Sequence, residues 1–267
     1  MASPLQVKRR LSLLIGWAAD RRVPSPLRAP LYKAYAAFTG ADLGEMRGQP
    51  RDYPSLGAFF VRRLADGART VEADPSLLPS PVDCMVQASS PVTNGMVVEA
   101  KERLYPIRSL LAGVGEDVDL NGGHQYTLYL GPKDYHRIHC PLDAQLTEVV
   151  HVPGDRHSVQ PSVLERRRVL SINERVVCRL ESEHGPFFMV LVGAVVVGRI
   201  RVVGVDPLHR GAVEPPRAFA RGEEFGRFEM GSTVVLVTPP GFHAPTAAQG
   251  ATIRMGQPIA ELAPDQP

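Results

Sequence analysis

Apolar and polar positions change their rhythm near residue 70. Before that point the spacing is helical. In LQVKRRLSLLIGWAADRR (5–22), Leu11, Leu14, Ile15 and Ala18 fall at i, i+3, i+4 and i+7, a single apolar stripe. PLYKAYAAFTG (30–40) predicts a second helix closed by Gly40. SLGAFFVRRLADG (55–67) predicts a third, with Ser55 as N-cap and Gly67 as stop. From about residue 71 the chain turns to short runs rich in β-branched residues, punctuated by Gly and Pro. These are QYTLYL (125–130), LTEVVHV (146–152), ERVVCRLES (174–182), FFMVLVGAVVVGRIRVVG (187–204), GSTVVLV (231–237) and ATIRMGQPIAEL (251–262). No regular helical alternation separates them. The pattern predicts an α+β protein: a helical region, 1–70, and a β-rich body, 71–267, built as an antiparallel sandwich or barrel.

Composition adds limits. At 267 residues the chain is long enough to bury a large core, and 44% hydrophobic with 22% charged residues is the balance of a globular protein. The longest apolar run, Phe187 to Gly198, is too short to span a bilayer and too rich in valine for a helix. Cys84, Cys140 and Cys178 are odd in number and form no CxxC pair, which argues against a disulfide framework or zinc ribbon and for a reducing compartment. A net charge of +2 does not suggest nucleic acid, but its distribution is uneven. Residues 1–70 hold 12 Lys and Arg against 5 Asp and Glu, and the remainder is net acidic. A basic front end with Lys8, Arg9, Arg10, Arg21 and Arg22 around an apolar stripe suits either docking on the body or an anionic membrane surface.

Three segments carry reactive side chains: SPVDCMVQ (80–87) with Asp83, KDYHRIHCPLDA (133–144) with His136 and His139, and GRFEMGSTVV (226–235) with Ser232. A carboxylate, an imidazole and a hydroxyl are the parts of a serine-activating relay. The same residues also read as a turn aspartate after Pro81 and a serine after a bulge glycine. The HxxH spacing would suit two metal ligands, with His151 or His157 as a third. Pro141 and Ile138 argue against a helix there, and on a strand residues three apart face opposite ways, which disfavours a shared metal.

In their order these segments resemble the phosphatidylserine decarboxylase family. SPVDC matches its SPxDG-like segment, DYHRIHCP its DYHRxHxP segment, and GST the segment whose serine becomes the enzyme's own cofactor. SLGAFFVRRLADGARTV, VPGDRHSV, NERVV, VGAVVVGRI and RGEEFGRFEMGSTVVL fall where the family has counterparts, so the likeness covers roughly residues 55–260. It implies self-cleavage between Gly231 and Ser232 into a β chain of residues 1–231 and an α chain of residues 232–267. Ser232 attacks the Gly231 carbonyl, His139 oriented by Asp83 is the base, and elimination with loss of ammonia leaves a pyruvoyl group on residue 232. That group forms a Schiff base with the substrate amine and serves as electron sink, with His136 returning the proton. The implied substrate is phosphatidylserine, the product phosphatidylethanolamine, and the implied location peripheral, on the cytoplasmic face of the cell membrane. The implied assembly is a dimer of cleaved chains, with no metal.

Two positions depart from the family pattern: Cys84 replaces its glycine after the aspartate, and Met230 its leucine before Gly-Ser-Thr. If glycine there serves a positive φ, Cys84 strains the loop. Other readings are a pyruvoyl decarboxylase acting on another serine-bearing lipid or amino acid, and a serine hydrolase using Ser232, His139 and Asp83, though GxSxG is missing. GATIRMGQPIAEL also resembles the last hairpin of biotinyl or lipoyl carrier domains, without the Met-Lys-Met-like tip that would carry a prosthetic group.

Overall fold

The computed structural model describes residues 16–100, 103–164, 166, 168–194, 199–229 and 232–262. Most of the stripe in 5–22, the Gly231 half of the expected cleavage site and Met230 lie outside the described residues. Residues 16–19 are helical, with Trp17 exposed and the Arg21 guanidinium 3.7 Å above its ring.

Helix α1 (Ser25–Thr39) opens on Pro24 and Pro26 and stops as predicted, at Gly40, whose φ of 81° is the left-handed cap position. Helix α2 (Leu56–Phe60) begins as predicted, the Ser55 hydroxyl accepting the Ala58 N–H at 3.1 Å. It ends at Phe60 and does not run on to Gly67. Phe59 and Phe60 drop into the interior, the Arg62 guanidinium donates to the Lys133 carbonyl, and Leu64 bridges to Met46. These long-range anchors override the local helical pattern. Tyr32 of α1 stacks on Phe59 at 4.6 Å, which ties the two helices together.

The body contains β1 (Leu77–Pro79), β2 (Cys84–Pro91), β3 (Met96–Ala100), β4 (Arg103–Pro106), α3 (Ile107–Leu111), β5 (His124–Leu130), β6 (Arg137–His139), β7 (Ala144–Val152) and α4 (Pro161–Leu164). It continues with β8 (Arg175–Ser182), β9 (Gly185–Gly193), β10 (Ile200–Val202), β11 (Arg210–Phe219), β12 (Glu224–Phe228), β13 (Ser232–Thr238), β14 (Phe242–Pro245), β15 (Thr252–Ile253) and β16 (Pro258–Leu262). An eight-stranded sheet runs β11-β7-β8-β9-β13-β5-β2-β15, and its paired strands are antiparallel.

Both faces of this sheet are buried. On β13, Val234 and Leu236 join one apolar cluster while Val235 and Val237 join the other; on β9, Phe187, Met189 and Leu191 alternate in the same way with Phe188, Val190 and Val192. A strand covered on both sides has no need of polar alternation, so it reads as a continuous apolar run. Side chains from the three-stranded sheets β10-β12-β6 and β1-β16-β14 fill the first cluster, and those of α3, α4 and the β3–β4 hairpin fill the second. The expected sandwich is present, with a helical region preceding it.

Two long runs divide. FFMVLVGAVVVGRIRVVG becomes β9 in the large sheet and β10 in another. ATIRMGQPIAEL is no hairpin: β15 pairs with β2, and β16 with β1 and β14. The chain turns between them at Gly256, whose φ is 88° and where a Cβ would lie 2.4 Å from the Thr70 carbonyl oxygen. Strand β11 shows little apolar pattern in sequence because it is an edge strand, where Pro215 and Pro216 are tolerated.

Candidate active site

Ser232 opens the central strand. Its register partners are Leu130 on β5 and Gly193 on β9, so two large-sheet neighbours fix its position. It is fully buried, and among the described residues its hydroxyl has no hydrogen-bond partner and the neighbouring Thr233 hydroxyl has none either. An unpaired buried hydroxyl costs about 1–3 kcal/mol, so such a group calls for a functional explanation. Against Ser232 lies a cavity of about 160 Å³, whose walls include Tyr129, Leu130, Ser158, Val159, Gln160 and Ala194.

The two histidines belong to β6 and the turn that leads to it from β5: His136 immediately precedes the strand and His139 ends it. His136 is completely buried, with its ring 4.0 Å from that of Phe60. Its Nδ1 lies 2.8 Å from the Asp134 carbonyl and must carry the proton, so Nε2 is the basic nitrogen, and Nε2 has no partner among the described residues. Burial pushes its pKa down to about 3, so the ring is neutral at pH 7. Two short stretches of chain connect His136 with the serine: Leu130, six residues before His136, pairs with Ser232, and Phe228, four residues before Ser232, donates its N–H to the His136 carbonyl.

His139 donates from Nδ1 to the Gly222 carbonyl at 2.8 Å, and its Nε2 lies 3.1 Å from the Tyr135 hydroxyl. Burial lowers its pKa. Burial also pushes the Tyr135 hydroxyl up to about 12, which keeps it a donor. His151 and His157 are engaged elsewhere, with Glu174 and Asp155. Among the described residues no group of three or more His, Cys, Asp or Glu is placed to hold a metal.

Asp83 is brought near this region but not onto His139. Arg69 grips both its carboxylate oxygens, at 2.9 and 2.5 Å, and Met255 N–H donates to Oδ1 at 2.8 Å. Arg69 continues to Glu45, whose other oxygen takes Arg254. Burial alone would lower the Arg69 pKa, but the hydrogen bonds to Asp83 and Glu45 outweigh it and raise it. The expectation that Asp83 orients His139 therefore needs correction for this form of the chain. A charge-assisted fork outcompetes a neutral imidazole for the carboxylate, and the Gly222 carbonyl fixes the imidazole tautomer instead. Neither imidazole is hydrogen-bonded to the Ser232 hydroxyl.

Cys84 is not strained. Among the described non-glycine residues only Asn94 and Ala112 have positive φ, so Cys84 starts β2 in ordinary extended backbone. Its buried sulfur rests 3.7 Å from the Ser80 hydroxyl, and burial pushes the thiol up to about 12. Arg69, Tyr135 and Gly222 lie inside segments already singled out in sequence, yet chemistry-by-residue-type passed over them. An arginine or a backbone carbonyl acquires a role only through its neighbours.

A family model described as phosphatidylserine decarboxylase matches residues 56–261, most of the chain. The chain belongs to the phosphatidylserine decarboxylase family. As a member it is an enzyme, a decarboxylase. It is 35% identical to the phosphatidylserine decarboxylase proenzyme of Aliivibrio salmonicida, covering 97% of this chain and 96% of that one. The proenzymes of Erwinia tasmaniensis and Yersinia enterocolitica are each 34% identical, over 95% and 97% of this chain and 90% and 94% of theirs. The family match includes Asp83, His136, His139 and Ser232, so the described cavity and its unpaired polar atoms lie within the shared part of a decarboxylase.

Proposed function

We propose that this decarboxylase converts phosphatidylserine to phosphatidylethanolamine, using a pyruvoyl group made from Ser232 by self-cleavage at Gly231-Ser232. One observation carries the reading: a fully buried serine hydroxyl with no partner, at the first residue of the central strand and against a cavity. The surroundings fit a pyruvoyl group, since the hydroxyl given up in the conversion makes no hydrogen bond and residue 232 already lines that cavity.

In processing, Ser232 Oγ attacks the Gly231 carbonyl, and the peptide nitrogen leaves as the amine of an ester. His139 takes the hydroxyl proton on Nε2, the nitrogen left basic by the Gly222 carbonyl, once the Tyr135 hydroxyl turns aside. Elimination releases the Gly231 carboxylate and leaves dehydroalanine at 232. Water then replaces its nitrogen, which departs as ammonia. Net, one water is consumed and one ammonia released. The fragments, 1–231 and 232–267, stay joined because β13 is hydrogen-bonded between β5 and β9.

The pyruvoyl group supplies an electron sink for the charge left when carbon dioxide departs. His136, whose Nε2 is unpaired, is assigned the return of a proton to the substrate carbon, a role that requires the negative charge of the bound substrate to raise its pKa from the buried, neutral value. The buried, largely apolar setting keeps water from the reacting atoms.

The lipid is met at a surface. On α1, Leu27, Leu31, Ala34 and Phe38 are exposed at i, i+4, i+7 and i+11, one solvent-facing stripe, and Phe38 is 91% exposed. With the excess of 12 basic over 5 acidic residues in 1–70, this stripe supports peripheral attachment to the anionic cytoplasmic leaflet. No described helix is long and apolar enough to cross a membrane. A dimer of cleaved chains is part of the same proposal.

Intact mass spectrometry of wild-type protein and Ser232→Ala tests this. The expected result is two fragments with the water-for-ammonia exchange in wild type, one intact chain in the variant, and activity on phosphatidylserine vesicles but not on free serine. A wild-type chain that stays whole overturns the reading.

A further inference from the structure

Three of the family-like segments, VPGDRHSV, NERVV and VGAVVVGRI, supply none of the reacting side chains named above, yet they meet at one side chain. Asn173 is completely buried and its amide is fully employed. Its oxygen accepts the His157 N–H at 3.0 Å; its nitrogen donates to the His157 carbonyl and to the Gly193 carbonyl, both at 2.8 Å. Gly193 is the residue paired with Ser232, and His157 immediately precedes Ser158, Val159 and Gln160 of the cavity wall. The amide thus spans from the strand beside the reactive residue to the loop that faces it.

A second feature shows that the loop's approach is built in. At Gly154 a Cβ would lie 2.4 Å from the Ile172 carbonyl oxygen and 2.7 Å from the Asn173 carbonyl carbon, so no side chain fits. Backbone bonds reinforce the approach: Asp155 N–H donates to Ile172, Glu174 N–H to Asp155, and Gly193 N–H to Glu174. Asparagine is the side chain suited to the position, offering an acceptor and two donors in one plane. Aspartate has the same shape, but its second oxygen would face two carbonyls.

We infer that Asn173 is a positioning residue for the decarboxylase reaction: it fixes the Ser158–Gln160 wall against Ser232 and so governs how the serine headgroup is held. This rests on the function proposed above. The wall contributes to binding in ground and transition states alike, so its loosening raises KM more than it lowers kcat.

The test has two arms. In the first, Asn173→Asp and the smaller Asn173→Ser are assayed on phosphatidylserine in mixed micelles, with fragment masses recorded. The expected result is normal cleavage, a KM raised on the order of tenfold, and kcat within about threefold of wild type. A KM unchanged in folded, cleaved variants overturns the inference. The second arm needs no variant. Amide hydrogen exchange on the wild-type protein should show His157 N–H protected like the amides of β8; exchange as fast as an open loop overturns the inference even if both variants fail to fold. Absence of cleavage in wild type would sink the pyruvoyl reading alone, and the His157 result would still decide whether Asn173 holds the loop against β9.

Discussion

Replacing Arg69 by methionine perturbs the ionic network at its centre. The Arg69 and Asp83 side chains are 7% and 10% exposed, so the pair belongs to the class whose disruption strands a buried charge. Breaking such a pair costs about 3–5 kcal/mol. Two features place this case at the lower end: Asp83 keeps the Met255 N–H, and Glu45 keeps Arg254. The expected loss is about 3 kcal/mol, or a Tm lower by roughly 6–12 °C at 2–4 °C per kcal/mol. Urea unfolding should be followed in a Ser232→Ala background, where a single uncleaved chain unfolds. Cm should fall with the slope unchanged. Adding Asp83→Asn removes the stranded charge and should recover a large part of the loss. A loss under about 0.5 kcal/mol would refute the buried network, since that is the scale of a solvent-screened pair. No recovery in the double variant would mean that lost packing, and not charge, set the cost.

Two other outcomes follow from the same structure. His136 is neutral when folded, with a pKa near 3 against 6.5 unfolded, so below pH 6.5 the unfolded chain binds the extra proton and stability falls as pH drops toward 3. The slope from this residue is up to about 1.4 kcal/mol per pH unit; His136→Gln should remove that share, while the half-buried His124, lowered to about 4, keeps its own. An unaltered stability–pH slope in urea titrations would contradict the burial. Phe38→Glu should weaken sedimentation with anionic vesicles by about tenfold or more, the scale of burying one phenyl ring, while activity in detergent micelles persists. Equal sedimentation of the two proteins would remove α1 from the membrane contact.

The sequence by itself determined the periodic features and the reactive residue types. The runs in 187–204 and 231–237 read as strands, Gly40 read as a helix stop, and Asp83, His136, His139 and Ser232 offered a carboxylate, two imidazoles and a hydroxyl. These are consequences of side-chain volume, backbone freedom and functional group, all carried by local chain. Tertiary structure decided the partners. It ended α2 at Phe60, sent β15 and β16 to different sheets, gave Asp83 to Arg69, and gave the His139 ring to a carbonyl 83 residues away. It also gathered three segments around Asn173. A hydrogen bond goes to whichever competing group the fold brings within about 3 Å, and that competition between residues far apart in the chain leaves no trace in local pattern.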